Sequence, residues 1–207
     1  MATAGVLIAC EGIDGSGKST QARRLAESLR ADGREVALLR EPGDSEYGRE
    51  LRRIFVEGRD VTPEEEMRLF LEDRRIDVRD NIAPALARGA IVIMDRYYLS
   101  SVVYQGALGL DPEMILAANE AIAPRPELTL IFDLAPAVAL QRIHAARGEA
   151  NSFEGADYLR EVRQRYLAHV DGERVQTIDA ERDPDTVFTE LRSRVLELLE
   201  GESHAAG

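Results

Sequence analysis

Nine consecutive residues, Gly12-Ile13-Asp14-Gly15-Ser16-Gly17-Lys18-Ser19-Thr20, combine three glycines with the only lysine of the chain, whose remaining basic residues are all arginine. Glycines let the backbone turn so that successive N–H groups point inward around phosphates, and a helix that follows adds its positive end. A compact ammonium can reach between two phosphates in a way that a planar guanidinium does not reproduce. The motif therefore predicts nucleoside triphosphate chemistry, with Lys18 bridging the transferred and adjacent phosphates and the Ser19 hydroxyl ligating magnesium. A second constellation is Ile91-Val92-Ile93-Met94-Asp95-Arg96-Tyr97, an apolar run that ends in an acid and an arginine. Ligands bind at the carboxyl edge of parallel sheets, so Asp95 can face the magnesium and Arg96 the phosphates. Asp14 lies inside the phosphate loop, where a carboxylate is costly unless a cation or donor offsets it, which favours a functional placement.

These residues need a scaffold that brings strand ends and helix starts to one edge. Val6 to Ala9 is an apolar run leading into the glycine-rich loop, and Gln21 to Arg30 beyond it has helical periodicity. Further buried-strand runs are Val36–Leu39, Ile91–Met94 and Leu128–Phe132, with a weaker one at Val175–Ile178. Continuous rather than alternating apolar strands, separated by helical stretches, predict an α/β fold with a parallel sheet covered on both faces. Pro63 begins a helix whose Glu64-Glu65-Glu66 first turn suits its positive end, and which is expected to run to about Ala87. Asp111-Pro112-Glu113 opens another; a helical segment starts near Tyr158; Pro184–Leu199 forms a closing helix; and Gly201–Gly207 reads as a frayed tail. One domain spanning 1–207 is expected from the length.

Composition narrows the partners. A formal net charge of -12 argues against broad binding to nucleic acid or acidic membranes, which rest on a summed positive field. No run of 18 apolar residues and no signal-peptide pattern occurs, which predicts a cytoplasmic protein. Cys10 sits inside an apolar run and reads as a small buried hydrophobe. His144, His169 and His204 are scattered and offer no metal-ligand spacing.

A guanine-reading Asn-Lys-x-Asp stretch is impossible in a chain with no second lysine, which removes the GTPase switches. Motor or remodelling ATPases need a larger domain, so kinase chemistry on a small acceptor is favoured. The ordered set Gly12–Thr20, Arg40-Glu41-Pro42-Gly43, Leu69-Phe70-Leu71-Glu72-Asp73-Arg74, Asp95-Arg96-Tyr97-Tyr98-Leu99-Ser100-Ser101 and Tyr104-Gln105-Gly106 resembles the motifs of the thymidylate kinases, over nearly the whole chain. The resemblance implies a P-loop nucleoside monophosphate kinase fold with a five-stranded parallel sheet and helices on both faces. It further implies a homodimer, and magnesium-dependent transfer of the ATP γ-phosphoryl group to dTMP, giving dTDP and ADP.

Site roles follow from the same resemblance. Gly12–Thr20 would bind ATP, with Ser19 and Asp95 at the metal. Phe70 and Arg74, four apart on one helical face, would stack on thymine and donate to a base carbonyl. Ser101 and Gln105 would approach the base edge, and Tyr104 would lie beside the sugar and disfavour a 2'-hydroxyl. Arg40 and Glu41 end the second strand; Arg52 and Arg96 would hold the dTMP phosphate, with Glu41 helping to order them. Asp14 would reach the sugar 3'-hydroxyl or a metal-bound water.

Transfer through a loose transition state needs alignment and a cation over the moving group, not a covalent nucleophile. In this family that arginine comes from the phosphate loop or from a mobile lid, and Ile13–Ser16 offers none. The lid is expected at about 145–155, hinged by Gly148 and Gly155. It reads Ser152-Phe153-Glu154 where many bacterial members have Arg-Phe-Glu, which leaves Arg142 and Arg147. Arg142 suits stacking on adenine, so the finger falls to Arg147. Asp44 is a second departure, where glycine often follows. The rival readings are a deoxynucleoside kinase or another monophosphate kinase of this fold and, more remotely, a non-catalytic ATP-dependent module. Arg52 with Arg96 discriminates, because a nucleoside acceptor has no phosphate to bind.

Overall fold

The structure, a computed structural model, describes residues 5–147 and 155–205, with side chains described for 5–145 and 155–201. Strands β1 (Val6–Glu11), β2 (Val36–Arg40), β3 (Ile91–Asp95), β4 (Leu128–Asp133) and β5 (Val175–Asp179) pair in parallel throughout, in the order β2-β3-β1-β4-β5. This is the expected five-stranded sheet, and β1 is its centre. Every strand runs at least one residue past its apolar stretch and ends on a charged residue: Glu11, Arg40, Asp95, Asp133 and Asp179. The carboxyl edge therefore carries charge by construction, from the fully buried Glu11 at its centre to the exposed Arg40 and Asp179 on the edge strands.

Around the sheet lie α1 (Lys18–Ala31), α2 (Glu46–Glu57), α3 (Pro63–Asp77), α4 (Ala83–Ala87), α5 (Tyr98–Ala107), α6 (Pro112–Glu120), α7 (Pro136–Arg147), α8 (Ala156–Leu167) and α9 (Pro184–Ala205). Alternate strand residues feed two cores. Ile8, Cys10, Ile93 and Leu130 pack with Leu25 and Leu29 of α1 and Leu191 and Val195 of α9. Leu7, Ala9, Val92 and Met94 pack with Ile82, Ala85, Tyr97 and Tyr98 on the other face. Covering both faces is what a central parallel strand requires. Cys10 is fully buried, and burial pushes its thiol far up.

Helix starts follow local chemistry. Thr62 accepts from the Glu65 N–H with Pro63 in the first position, and Asp111 accepts from the Glu113 N–H with Pro112 next. The long helix expected from Pro63 to Ala87 is continuous but passes through a π-turn at Val78–Ile82 between α3 and α4. Pro84 explains the turn: it has no N–H and its ring crowds the carbonyl four residues back, so the ladder shifts and Ala83 donates to Val78 instead. The closing helix continues through Gly201 to Ala205 in place of the expected frayed tail from Gly201; one glycine costs a helix only about 1 kcal/mol and no proline follows to stop it. Of the expected lid, 148–154 lie outside the described residues, as does the Arg147 side chain, while α7 runs up to Arg147 and Gly155 caps α8. No helix among the described residues is long and apolar enough to cross a membrane.

Candidate active site

The phosphate loop connects the central strand to α1. Gly15 has φ 83 and approaches α7 so closely that a Cβ would sit 2.7 Å from the Ala139 carbonyl oxygen. Lys18 is the first residue of α1 and is 5% exposed. Among the described residues its Nζ reaches only the Ile13 carbonyl and Asp14 Oδ1, both at 3.4 Å. Burial pushes the ammonium below its ordinary range and the Arg96 charge adds to this, against the opposing pull of Asp14, Asp95 and Glu11. A buried cation with such distant partners is poised to receive an anion. Ser19 and Thr20 are exposed in the first turn of the helix.

Across the loop stands Arg96, which is, among the described residues, the one non-glycine with positive φ, at 69°. Left-handed backbone costs about 1–2 kcal/mol at such a residue and persists where surroundings impose it. Arg96 Nη2 donates to Asp14 Oδ1 at 2.5 Å and to the Tyr104 hydroxyl at 3.3 Å, while Nη1 donates to Ser100 Oγ at 3.1 Å. Burial disfavours its charge, but Tyr104, Asp14 and Tyr166 outweigh that and hold the guanidinium protonated. Asp14 Oδ1 thus accepts from the lysine of the phosphate loop and the arginine after β3 at once.

Asp95 Oδ1 is buried and has no hydrogen-bond partner among the described residues. It ends β3 level with Cys10 of β1, the residue before the loop approach begins. An orphaned carboxylate oxygen, together with an exposed serine hydroxyl at the start of α1, is the hard-oxygen donor set that magnesium takes when it keeps waters and phosphate oxygens as its other ligands. The residues fit that ion. No compact group of three or more acidic, histidine or cysteine ligands occurs among the described residues.

A cleft of about 830 Å³ opens beside Asp14 and Arg96. Asp14, Glu41, Arg52, Phe70, Arg96, Tyr104 and Gln105, all expected at the site, line it, and Phe55, Arg59 and Glu66 join them. Phe70 faces the cleft with its ring 6.2 Å from that of Phe55. Arg52 is turned onto the loop after β2, donating to the carbonyls of Pro42 and Gly43 and to Asp44 Oδ1 at 3.2 Å. Asp44, the departure noted in the sequence, is thus a partner of the arginine expected to hold a phosphate.

Three expectations change. Glu41 orders neither Arg52 nor Arg96: its carboxylate is taken by Arg74, whose Nε lies 2.9 Å from Oε1 and whose Nη2 contacts Oε2. Arg74 also contacts Asn119 Oδ1, donates to Ser101 Oγ at 3.2 Å and lies over the Tyr97 ring, so it is 1% exposed and its guanidinium is largely committed within the protein. Burial pushes the Glu41 carboxyl up, Arg74 pulls it back, and Asp77 and Asp73 push it further up. Ser101 lies beneath Arg74 and does not line the cleft, whereas Ser100 does. Arg40 is exposed at the tip of β2 and also stands off the cleft, although Glu41 next to it lines it. Arg142 is half-buried on α7, outside the cleft lining.

Sequence reasoning missed three acids. Glu11, fully buried, accepts from the Tyr97 and Ser100 N–H groups and from Ser100 Oγ at 2.6 Å, and so caps α5 from another element. Burial pushes its carboxyl up, against the Ser100 hydrogen bond and the Arg96 charge. A charge wedged between an apolar strand and a glycine loop was the available signal. Asp73 accepts from the Gly43 N–H at 2.7 Å and from Ser45 Oγ at 2.5 Å, clamping the loop after β2 onto α3. Gly48 permits this closeness, since a Cβ there would lie 2.2 Å from the Gly43 oxygen and 2.7 Å from Asp73 Oδ1. Gly48→Ala is therefore expected to destabilise the fold by about 1–3 kcal/mol, as overpacking does, read from the urea midpoint. An unchanged midpoint would mean that the loop is not clamped. The third acid, Glu66, hides in a run of three glutamates.

A family model described as thymidylate kinase matches residues 10–191. A protein named "Probable thymidylate kinase" from Archaeoglobus fulgidus is 46% identical over 194 residues, covering 94% of this chain and 96% of its own. A thymidylate kinase of Xylella fastidiosa is 44% identical over 204 residues, with 98% and 92% covered, and one of Xanthomonas campestris pv. campestris is 46% identical over 196 residues, with 94% and 85% covered.

Proposed function

Because this chain belongs to the thymidylate kinase family, a nucleotide kinase that passes the γ-phosphoryl group of ATP to dTMP, we propose that the phosphate loop holds ATP and that the 830 Å³ cleft receives dTMP. The observation that carries this reading is the convergence of Lys18 and Arg96 on one oxygen of Asp14. The lysine belongs to the donor side and the arginine to the acceptor side, so the carboxylate marks where a negative group shared by both would sit.

In this reading the dTMP phosphate, already ionised at neutral pH, attacks in line. Arg96 and Arg52 orient it, Lys18 stabilises charge on the transferred group, and Asp14 yields its two cations to phosphate and turns to the sugar 3'-hydroxyl. Ser19 and Asp95 would hold magnesium, which would supply charge neutralisation on the phosphate oxygens. Phe70 stacks on the base, and Tyr104 flanks the sugar. Arg147 of the lid covers the transferring group and Arg142 meets the adenine. The reading extends to one kinase domain over 1–207 with a lid at about 145–155, acting as a cytoplasmic homodimer; the net charge of -12 supports the absence of a nucleic-acid partner.

A coupled ADP-release assay with Mg-ATP and a panel of nucleosides and monophosphates tests it. The expected best acceptor is dTMP, with dUMP weaker by about 10–200-fold, the discrimination one methyl supplies in an apolar pocket. Thymidine outperforming dTMP would transfer the reading to a nucleoside kinase, and ADP release independent of any acceptor would remove the kinase assignment.

A further inference from the structure

Glu64, Glu65 and Glu66 share the first turn of α3, yet only Glu66 is buried, at 1% exposure. A buried carboxylate is costly unless its oxygens are paired. Those of Glu66 have separate partners: Oε1 accepts from Gln105 Nε2 at 2.8 Å, and Oε2 pairs with Arg59 Nε at 3.1 Å. Gln105 is itself 1% exposed, and its carbonyl oxygen is buried with no partner among the described residues. All three residues line the cleft.

We propose that Glu66 is a specificity-determining positioning residue: by accepting from the Gln105 amide nitrogen it fixes the side-chain carbonyl toward the acceptor base, and so selects a pyrimidine that carries a hydrogen on N3. This rests on the reading of the cleft as the dTMP site. An ionised carboxylate has no hydrogen to donate, so the amide can meet it only through its NH2 group. A flipped amide would set oxygen against oxygen. The carbonyl that remains is an acceptor awaiting a donor. Thymine and uracil offer N3–H; cytosine offers a bare lone pair at N3, which would repel the carbonyl and leave two buried acceptors unpaired. Arg59 completes the device by balancing the charge of Glu66, and its own guanidinium is seated 5.7 Å above the Phe55 ring.

The test compares dUMP with dCMP, which both lack the thymine methyl and differ at this edge. Wild-type enzyme is expected to favour dUMP in kcat/KM by at least about 10³-fold, the discrimination reached by sites built to hydrogen-bond one partner. Glu66→Gln keeps the shape but can donate as well as accept, so Gln105 is freed to turn; the dUMP:dCMP ratio is expected to shrink by about a hundredfold. An unchanged ratio in a folded Glu66→Gln protein, even with lowered stability, overturns the proposal and leaves Glu66 a purely structural residue. If the variant does not fold, the wild-type ratio decides, because a value near one is incompatible with a fixed carbonyl. Turnover of dTMP by the wild type separates the two levels. Its failure sinks the acceptor reading together with this one, whereas dTMP turnover with an indifferent edge sinks only the role of Glu66.

Discussion

Lys18→Ala is expected to lower kcat/KM for phosphoryl transfer about a thousandfold, ~4 kcal/mol of transition-state stabilisation, while leaving the protein without nucleotide no less stable. Two features make the loss large and place it in catalysis. The ammonium is buried, so its field is little screened, and its contacts to Ile13 and Asp14 are both long. It is therefore held ready for charge that develops elsewhere, which is the condition for preorganised stabilisation. Deleting it removes an under-compensated buried cation from the resting protein, so the melting temperature is expected to hold or rise. Lys18→Arg is expected to fail similarly, since a planar fork does not fit where a compact charge sits. Steady-state kinetics beside thermal unfolding decide the matter. If activity falls only in step with stability, the lysine is structural and the phosphate-loop assignment loses its main support.

The second large effect concerns the buried pair of Arg74 and Glu41. Arg74→Ala is expected to cost about 3–5 kcal/mol, because it leaves a desolvated carboxylate without its cation. That carboxylate is already pushed up by burial and by Asp77 and Asp73, and Arg74 is the main force opposing them. Asn119 and Ser101 would lose their donor at the same time. Replacing both partners with leucine is expected to recover most of the stability, since no buried charge then remains. Urea unfolding of the two variants measures the difference, and a single variant as stable as wild type would show that the pair is not truly desolvated. Such a commitment changes the meaning of Arg74: it is held among Glu41, Asn119 and Ser101 outside the cleft lining, and any contact it makes with a base comes from what its internal partners leave over.

How far the sequence could be read depended on the kind of force at each position. The β1–loop–α1 unit was legible because glycine, lysine and an apolar run specify it locally, and the three inner strands because burial on both faces writes continuous apolar stretches, which the half-buried β5 shows only weakly. Strand ends at Glu11, Asp133 and Asp179 were not, since backbone pairing carries no side-chain signature. Phe70, Tyr104 and Arg96 could be assigned to one cleft through a motif, and they do line it. Glu66 could not: three glutamates at a helix start are accounted for by the helix dipole alone, and only the approach of Gln105 from α5 and of Arg59 from the loop after α2 distinguishes the third. Glu11 was hidden for the same reason, as its partners lie 86 to 155 residues away. The misplacement of Glu41 arose from competition, with Arg74 taking the carboxylate in place of Arg52 and Arg96.

A chain with one lysine has one bond that a lysine-specific protease can cut, and here that bond opens the first turn of α1. Its scission would part the central strand and the phosphate loop from everything that packs around them. Proteases need an extended, accessible backbone, so cutting at a buried helical residue proceeds only through opening of the molecule. The rate at which this single cut appears would therefore measure how often the nucleotide end of the protein opens, and its slowing by added nucleotide would turn that opening into a binding curve.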